Sequence, residues 1–272
     1  MQKKIRIDTL LVEKSHFSTR EKAKAAIMAG LVRVDGEVTD KPGTKVPLDA
    51  KVEVTGTPHP YVSRGGLKLK RALDVFDFAM DGAVVVDIGA STGGFTDCAL
   101  QHGARHVYAV DVGYGQLAWK LRQDPRVTVM ERTNFRYVTP GSFTAQQPNV
   151  AVIDVSFISL DKILPVLKSI LPYKGAVLSL IKPQFEAGRE QVGKKGVVRD
   201  PVVHRTVLFR ILDVAEANGF HVHNLTHSPI TGGEGNIEFL VHWVKQDHRQ
   251  LSAEAIPQLV ESTVSTAHRL LT

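Results

Sequence analysis

Three polar side chains stand at the ends of apolar runs, and a glycine turn stands at the end of another. Asp154 lies in Val150–Val155, Lys182 follows Ala176–Ile181, and Glu238 opens Glu238–Val244. Side chains of these types move protons when held against a substrate. The rival reading of Lys182 is a strand-end charge that snorkels to water. The run Val84–Ile88 breaks at Gly89 into Ala90, Ser91, Thr92, Gly93 and Gly94 before Phe95 opens a helix. Glycine lets a ligand approach bare backbone there. Asp111 closes the next run, His106–Asp111, about 20 residues later, the spacing at which a carboxylate grips a ribose in a nucleotide-binding βαβ unit.

The elements that position these groups alternate in kind. Candidate strands are 84–88, 106–111, 127–131, 150–155, 176–181, 221–227 and 238–244, with helices over 160–171, capped near Ser159 and closed by Pro172, and over 204–218, stopped by Asn218-Gly219. Alternation predicts a mostly parallel sheet covered on both faces. The connection 229–236 is too short for a helical crossover, so the last two strands must pair antiparallel. This α/β order, with its closing antiparallel hairpin, is the pattern of class I (Rossmann-like) S-adenosylmethionine (SAM) methyltransferases. In such a sheet ligands bind beyond the carboxyl ends of the strands, which aims Asp154 and Lys182 at the same crevice as Gly89 and Asp111.

A dehydrogenase is the competing use of the sheet, but the turn does not have its G-x-G-x-x-G spacing, which serves a pyrophosphate. SAM carries a sulfonium cation and no phosphate, and nearby carboxylates suit it. The stretch VDIGASTGGFTD resembles the turn of SAM methyltransferases, and the resemblance implies a cofactor set of Asp87, Gly89, Ser91, Gly93, Gly94, Phe95, Asp111, Asn134 after the third strand, and Asp154.

Net charge is +6, and its distribution says more than its size. Residues 1–71 hold 15 Lys/Arg against 8 Asp/Glu, while the remaining 201 residues sum to −1. A basic amino-terminal module on a nearly neutral body suits a polyanion, with a solvated basic face as the alternative. In that module a short helix spans Ile5–Glu13, and Ser18-Thr19-Arg20-Glu21 reads as a capping box for a helix from Arg20 to Ala29. An Asp35-Gly36 hairpin, a Lys41-Pro42-Gly43 turn and a strand at 51–54 follow. The stretch TREKAKAAIMAGLVRVDGEVTDKPGTKV resembles an S4 domain, a small RNA-binding module. The resemblance implies that Arg20 and Lys24 face RNA phosphates, helped by Arg33 and Lys41.

Residues 55–60 read as a linker, followed by a helix past Gly66 that buries Leu69, Leu73 and Phe76. Its cations Arg64, Lys68, Lys70 and Arg71 are either solvated helix dressing or the floor of a substrate cleft. The glycine-punctuated loop 188–200 is either a surface connection or an RNA-contacting lid.

In order, Lys68, Asp154, Lys182 and Glu238 are similar to the K-D-K-E set of FtsJ-like ribose 2′-O-methyltransferases. An S4 module followed by SRGGLKL, DIGASTGGFTD, IDVSFISL, LIKPQFE, GVVRD and GNIEFL resembles the TlyA family over about residues 3–244. Of that family's linker, His59-Pro60-Tyr61-Val62 keeps only the aromatic before Val. The resemblance implies SAM-dependent 2′-O-methylation of ribosomal RNA at cytidine, on ribosomal RNA or subunits as partner. Lys182 would handle the hydroxyl proton, Asp154 and Glu238 would orient it, and Lys68 with Arg64 would place the RNA. Expected domains are 1–58 (S4), 59–62 (linker), 63–244 (methyltransferase) and 245–272, an amphipathic helical tail that packs back on the sheet domain.

The rival classes are a membrane-acting cytolysin, which some TlyA names imply, and a non-catalytic RNA-binding factor on the same scaffold. An apolar run of about 18 residues or an export signal would favour the first, and neither is seen, so the expected location is cytoplasmic. A lost quartet member would favour the second. One cysteine, Cys98, allows no internal disulfide, and the pair His221-x-His223 alternates like a strand face, so no metal is expected.

Overall fold

The computed structural model describes residues 4–28, 30–55, 59–248, 251–252 and 254–272. The expected helix end at Ala29 and positions 56–58 of the expected linker lie outside them. The chain divides into two compact units, 1–66 and 67–272. The division falls after Gly66, whereas the sequence reading ended the S4 domain at 58; Tyr61 is buried against Gly66, whose missing side chain makes room for the ring.

That unit holds β1 (Lys4–Arg6), α1 (Ile7–Glu13), α2 (Arg20–Met28), β2 (Val32–Val34), β3 (Glu37–Val38), β4 (Lys45–Pro47) and β5 (Val52–Val54). Strand β1 pairs with β4, so Ile5 and Arg6 are extended where the sequence pattern suggested helix. Helix α2 is capped by Thr19, not Ser18: the Lys22 amide donates to Thr19 Oγ1 at 3.3 Å. Strands β3, β2 and β5 form a second small sheet in that order. Its hairpin turns through Asp35 and Gly36, both at positive φ as a two-residue turn of this hand requires. Ile7, Leu10, Leu11, Ala23, Ile27 and Val32 form the core.

Helix α3 (Gly65–Val75) crosses the boundary and leads to β6 (Val84–Ile88), α4 (Gly94–Gln101), β7 (His106–Val110), α5 (Trp119–Arg122) and β8 (Val127–Met130). Then come β9 (Val150–Ile153), α6 (Leu164–Ile170), β10 (Ala176–Ile181), α7 (Pro183–Glu186), α8 (Pro201–Ala217), β11 (Phe220–His227), β12 (Phe239–Lys245) and α9 (Ala255–Leu271). The sheet order is β11-β12-β10-β9-β6-β7-β8, and β12 runs antiparallel to both neighbours. The central strands are buried on both faces, hence their near-continuous apolar runs, interrupted by buried Asp87 in β6 and Ser179 in β10.

Several details differ from the sequence reading, among them that β9 ends at Ile153 and β12 opens at Phe239, which leaves Asp154 and Glu238 just outside their strands. Residues Leu160–Lys162 form a separate 3-10 turn before α6, with Ser159 Oγ accepting the Asp161 amide. Helix α8 starts at Pro201, because Asp200 caps it by accepting the Val202 amide at 2.8 Å. A register shift between Val222 and Asn224 interrupts the alternation expected for His221 and His223. Helix α9 places Val260, Val264 and Ala267 in the same core as the sheet, so the tail belongs to the second unit. Among the described residues no helix is long and apolar enough to cross a membrane, and no three His, Cys, Asp or Glu side chains group as a metal site.

Candidate active site

From β6 the chain winds outward through β7 and β8, then returns to the other side of β6 as β9. The crevice where winding reverses is the place such sheets bind ligands. A cavity of about 610 Å³ opens there, with Gly89 and Ser91 beyond β6, Asp111 beyond β7, Asn134 beyond β8 and Asp154 beyond β9 in its wall. Its size falls in the range of cofactor pockets.

Gly89 has φ +87°, and a Cβ there would stand 2.5 Å from the Asp154 carbonyl oxygen. The absent side chain thus makes room for the neighbouring strand end as well as for a ligand. Asp111 accepts the Ser91 amide at 2.8 Å and the Gly113 amide at 2.7 Å, which fixes its carboxylate. Carboxylate oxygens have lone pairs to spare for a ribose diol. Asn134 Oδ1 accepts the Arg136 amide at 3.1 Å, and Phe135 and Ile158 supply apolar wall beside it. Two carboxylates, amide-rich turns and an apolar end fit the ribose, cationic tail and adenine of SAM.

Four residues of the expected cofactor set do not line this cavity. Asp87 is fully buried under the turn, where Thr96 Oγ1 donates to it at 2.6 Å. Burial pushes its carboxyl up to about 7, against the Thr96 bonds, with Asp154 adding repulsion. Gly93, at φ +99°, is the left-handed residue ahead of α4, and the side chains of Leu117 and Leu121 fill the space beside it. Gly94 and Phe95 are buried in the first turn of α4.

The four expected catalytic residues come together as two ion pairs. Lys182 Nζ lies 2.5 Å from Asp154 Oδ1 and donates to Ser156 Oγ at 3.2 Å. Lys68 Nζ lies 2.5 Å from Glu238 Oε2, and Gln184 Nε2 donates to Glu238 Oε1 at 3.2 Å. Glu238 therefore holds Lys68 and not, as the sequence reading had it, Lys182. Lys68 is only 7% exposed, which removes the reading of it as solvated helix dressing. Burial opposes ionisation of Asp154, but Lys68 and then Lys182 outweigh it and hold its carboxyl below the ordinary range. The two pairs thus share one electrostatic field. Strand order explains the assembly: β10 lies between β9 and β12, so Lys182 emerges between Asp154 and Glu238.

Sequence reasoning passed over several wall residues. Ser156 and Phe157 follow Asp154 into the cavity wall. Phe157 is 90% exposed at φ +62°, and its ring lies 4.9 Å from that of Phe185. An exposed aromatic in a left-handed backbone is costly and calls for a reason. The one signal for it was its place inside IDVSFISL. Nearby, Arg132 stacks over exposed Tyr114 at 4.1 Å. The loop 188–200 is tied down: Asn236 accepts the Val198 amide at 3.1 Å and donates to the Gly196 carbonyl at 2.9 Å. Lys194, Lys195 and Arg199 stay exposed on it.

In the amino-terminal unit, Arg20 and Arg6 both pair with Asp8 at 2.9 Å. Hydrogen bonds from Arg6 foremost, and from Arg20, hold that buried carboxyl well below the usual range against the cost of burial. Both guanidiniums remain about half exposed. Arg33 is exposed and donates to the Gly36 carbonyl at 2.9 Å, Lys41 is exposed, and Lys24 and Arg64 are half-buried.

A family model described as FtsJ-like methyltransferase matches residues 61–245, and one for the S4 domain matches residues 5–52. The chain is 57% identical over 268 residues to YqxC of Bacillus subtilis, named as a proposed rRNA methyltransferase, covering 97% of this chain and 95% of that one. It is 42% identical over 266 residues to TlyA of Mycobacterium tuberculosis, a 16S/23S rRNA (cytidine-2′-O)-methyltransferase, covering 97% and 99%. A solved structure described as a proposed hemolysin from Streptococcus thermophilus superposes with a TM-score of 0.79 at 50% identity, covering 99% of this chain and 98% of that one.

Proposed function

The chain belongs to the TlyA family of FtsJ-like methyltransferases, and from that premise we propose that it methylates ribosomal RNA at the 2′-oxygen of a cytidine. It is a SAM-dependent RNA 2′-O-methyltransferase. When bound, SAM supplies an electrophilic methyl group. Gly89, Ser91, Asp111, Asn134 and Asp154 would hold it.

The observation that carries the reading is the Lys182–Asp154 pair, at 2.5 Å, whose carboxylate lines the cofactor cavity. As the 2′-oxygen gains a bond to carbon its hydroxyl becomes strongly acidic, and the proton passes to Lys182 Nζ, which must enter the step as a neutral amine with its own proton already shed to solvent. The Ser156 hydroxyl, bonded to Lys182 Nζ, steadies the ammonium. Lys68, held by Glu238, keeps a second positive charge beside Asp154, where it can steer the ribose or a neighbouring phosphate. Positioning of the hydroxyl supplies much of the rate in such a displacement.

In the same reading the S4 domain docks the RNA, with Arg20, Lys24, Arg33, Lys41 and Arg64 on phosphates, which positions the RNA without reading its sequence. Support comes from the charge of residues 1–71 and from the exposed ends of Arg20, Arg33 and Lys41. The test is to incubate the protein with methyl-labelled SAM and unmethylated ribosomal subunits, then map ribose methylation by primer extension. A 2′-O-methylcytidine that depends on the protein is the expected result. Label in a base, or none in RNA, refutes the proposal.

A further inference from the structure

The loop leaving β9 and the short helix leaving β10 are joined at three places. At the near end Lys182 bonds Asp154 and Ser156. Midway, the rings of Phe157 and Phe185 meet at 4.9 Å. At the far end Glu186 accepts from Ser159 Oγ at 2.6 Å and from the Leu160 amide at 2.8 Å. Arg210, from α8, donates to the same carboxylate at 2.6 Å and to the Glu186 carbonyl at 2.9 Å.

Only 2% of the Glu186 side chain is exposed. Burying a carboxylate is expensive unless it is fully bonded, and burial still pushes this carboxyl above its ordinary range despite Ser159, Leu160 and Arg210. Apart from Arg210, its bonds go to one segment, which begins at Asp154 and passes through Ser156 and the left-handed Phe157. Glu186 itself ends the helix that begins just after Lys182.

Resting on the methyltransfer reading above, we infer that Glu186 is a positioning residue for the reaction. Through Ser159 and Leu160 it sets where Asp154, Ser156 and Phe157 stand relative to Lys182, and so how the acceptor hydroxyl is aligned. It does not line the cofactor cavity; it acts through the loop it clamps. Misplacement by about 1 Å can cost about a hundredfold in rate, so a clamp this close to the reacting groups is a rate determinant even though it is not a catalytic residue.

The test uses the full chain with SAM and unmethylated ribosomal subunits, measuring kcat, KM for the subunits, and SAM affinity by calorimetry. Glu186→Leu removes both acceptor oxygens and is expected to lower kcat by about 30- to 100-fold, with KM and SAM affinity within about twofold. Glu186→Gln keeps one acceptor oxygen and restores kcat to within about tenfold of wild type. Ser159→Ala lowers kcat severalfold, and adds nothing in the Glu186→Leu background, because the two residues form one unit. Should Glu186→Leu fail to fold, Ser159→Ala and the half-exposed Arg210→Ala carry the same kinetic signature. Full kcat in these folded variants, or a loss matched by equal loss of SAM binding or of folded fraction, overturns the inference. Wild-type protein that transfers no methyl overturns both this inference and the reading on which it rests.

Discussion

Replacing Lys182 with alanine should separate chemistry from cofactor binding. The Lys182 side chain is 10% exposed, lies 2.5 Å from Asp154 and bonds Ser156, but is absent from the cavity wall. Truncation removes the amine that receives the hydroxyl proton, a role worth about 10² to 10⁴ in rate, or about 3–5 kcal/mol of barrier. Cofactor affinity should change by less than about threefold, since the contacts expected of Gly89, Asp111 and Asn134 survive. The stability cost should fall below the about 3–5 kcal/mol of breaking a fully buried pair, because Asp154 remains 21% exposed and keeps Lys68 nearby. The acid limb of stability should also move. Asp154 is held below its ordinary range, so its contribution is complete at neutral pH and is lost only as pH falls through that depressed value. Without Lys182 that contribution should shrink, and its loss on acidification should be complete at higher pH. Single-turnover methyl transfer, calorimetric titration with SAM and urea unfolding at several pH values measure these quantities. Near-wild-type methylation by Lys182→Ala would refute the assignment, as would a collapse of SAM affinity equal to the loss of rate.

Lys68→Ala should cost more stability than Lys182→Ala, about 3–5 kcal/mol, because it strands Glu238, 2% exposed, without its cation; urea midpoints of both variants decide this, and Lys68→Met with Glu238→Leu should recover most of the loss. Asp87, with its carboxyl raised to about 7, favours the folded state most below the ordinary carboxylate range, and that stability drains as pH rises through about 7. Between pH 5 and 8 unfolding free energy should therefore fall by up to about 1.4 kcal/mol per unit, a slope that Asp87→Asn should flatten. Lys41→Ala should weaken binding to ribosomal RNA evenly across sequences and reduce the salt slope of log affinity by about one; an unchanged slope removes Lys41 from the phosphate contacts.

Much of the fold could be read along the chain. Strand–helix alternation from Val84 onward and the short connection before β12 are local patterns, and a mostly parallel sheet closed by one antiparallel strand follows from them, while the order of its seven strands does not. The strand ends that carry Asp154, Lys182 and Asp111 were legible for the same reason, since a parallel sheet sends all its carboxyl ends to one edge. Legibility failed where a residue's role depends on what faces it. Ser18 and Thr19 are both competent caps, and only the backbone path chooses Thr19. Gly93 looks in sequence like a ligand-facing glycine, yet Leu117 and Leu121 pack beside it.

The sequence by itself determined the glycine turn at the end of β6, the carboxylate one strand on, and the presence of two lysines and two acids in a set order. Residue type and spacing carry those facts, because strand formation and strand direction are local consequences of apolar patterning. Only tertiary structure decided which lysine meets which acid. Lys68 reaches Glu238 across 170 positions of chain, and Asp154 takes Lys182 because β9 and β12 flank β10 on opposite sides. Charges pair by distance in space and by the burial around them, and neither quantity is written in the order of residues.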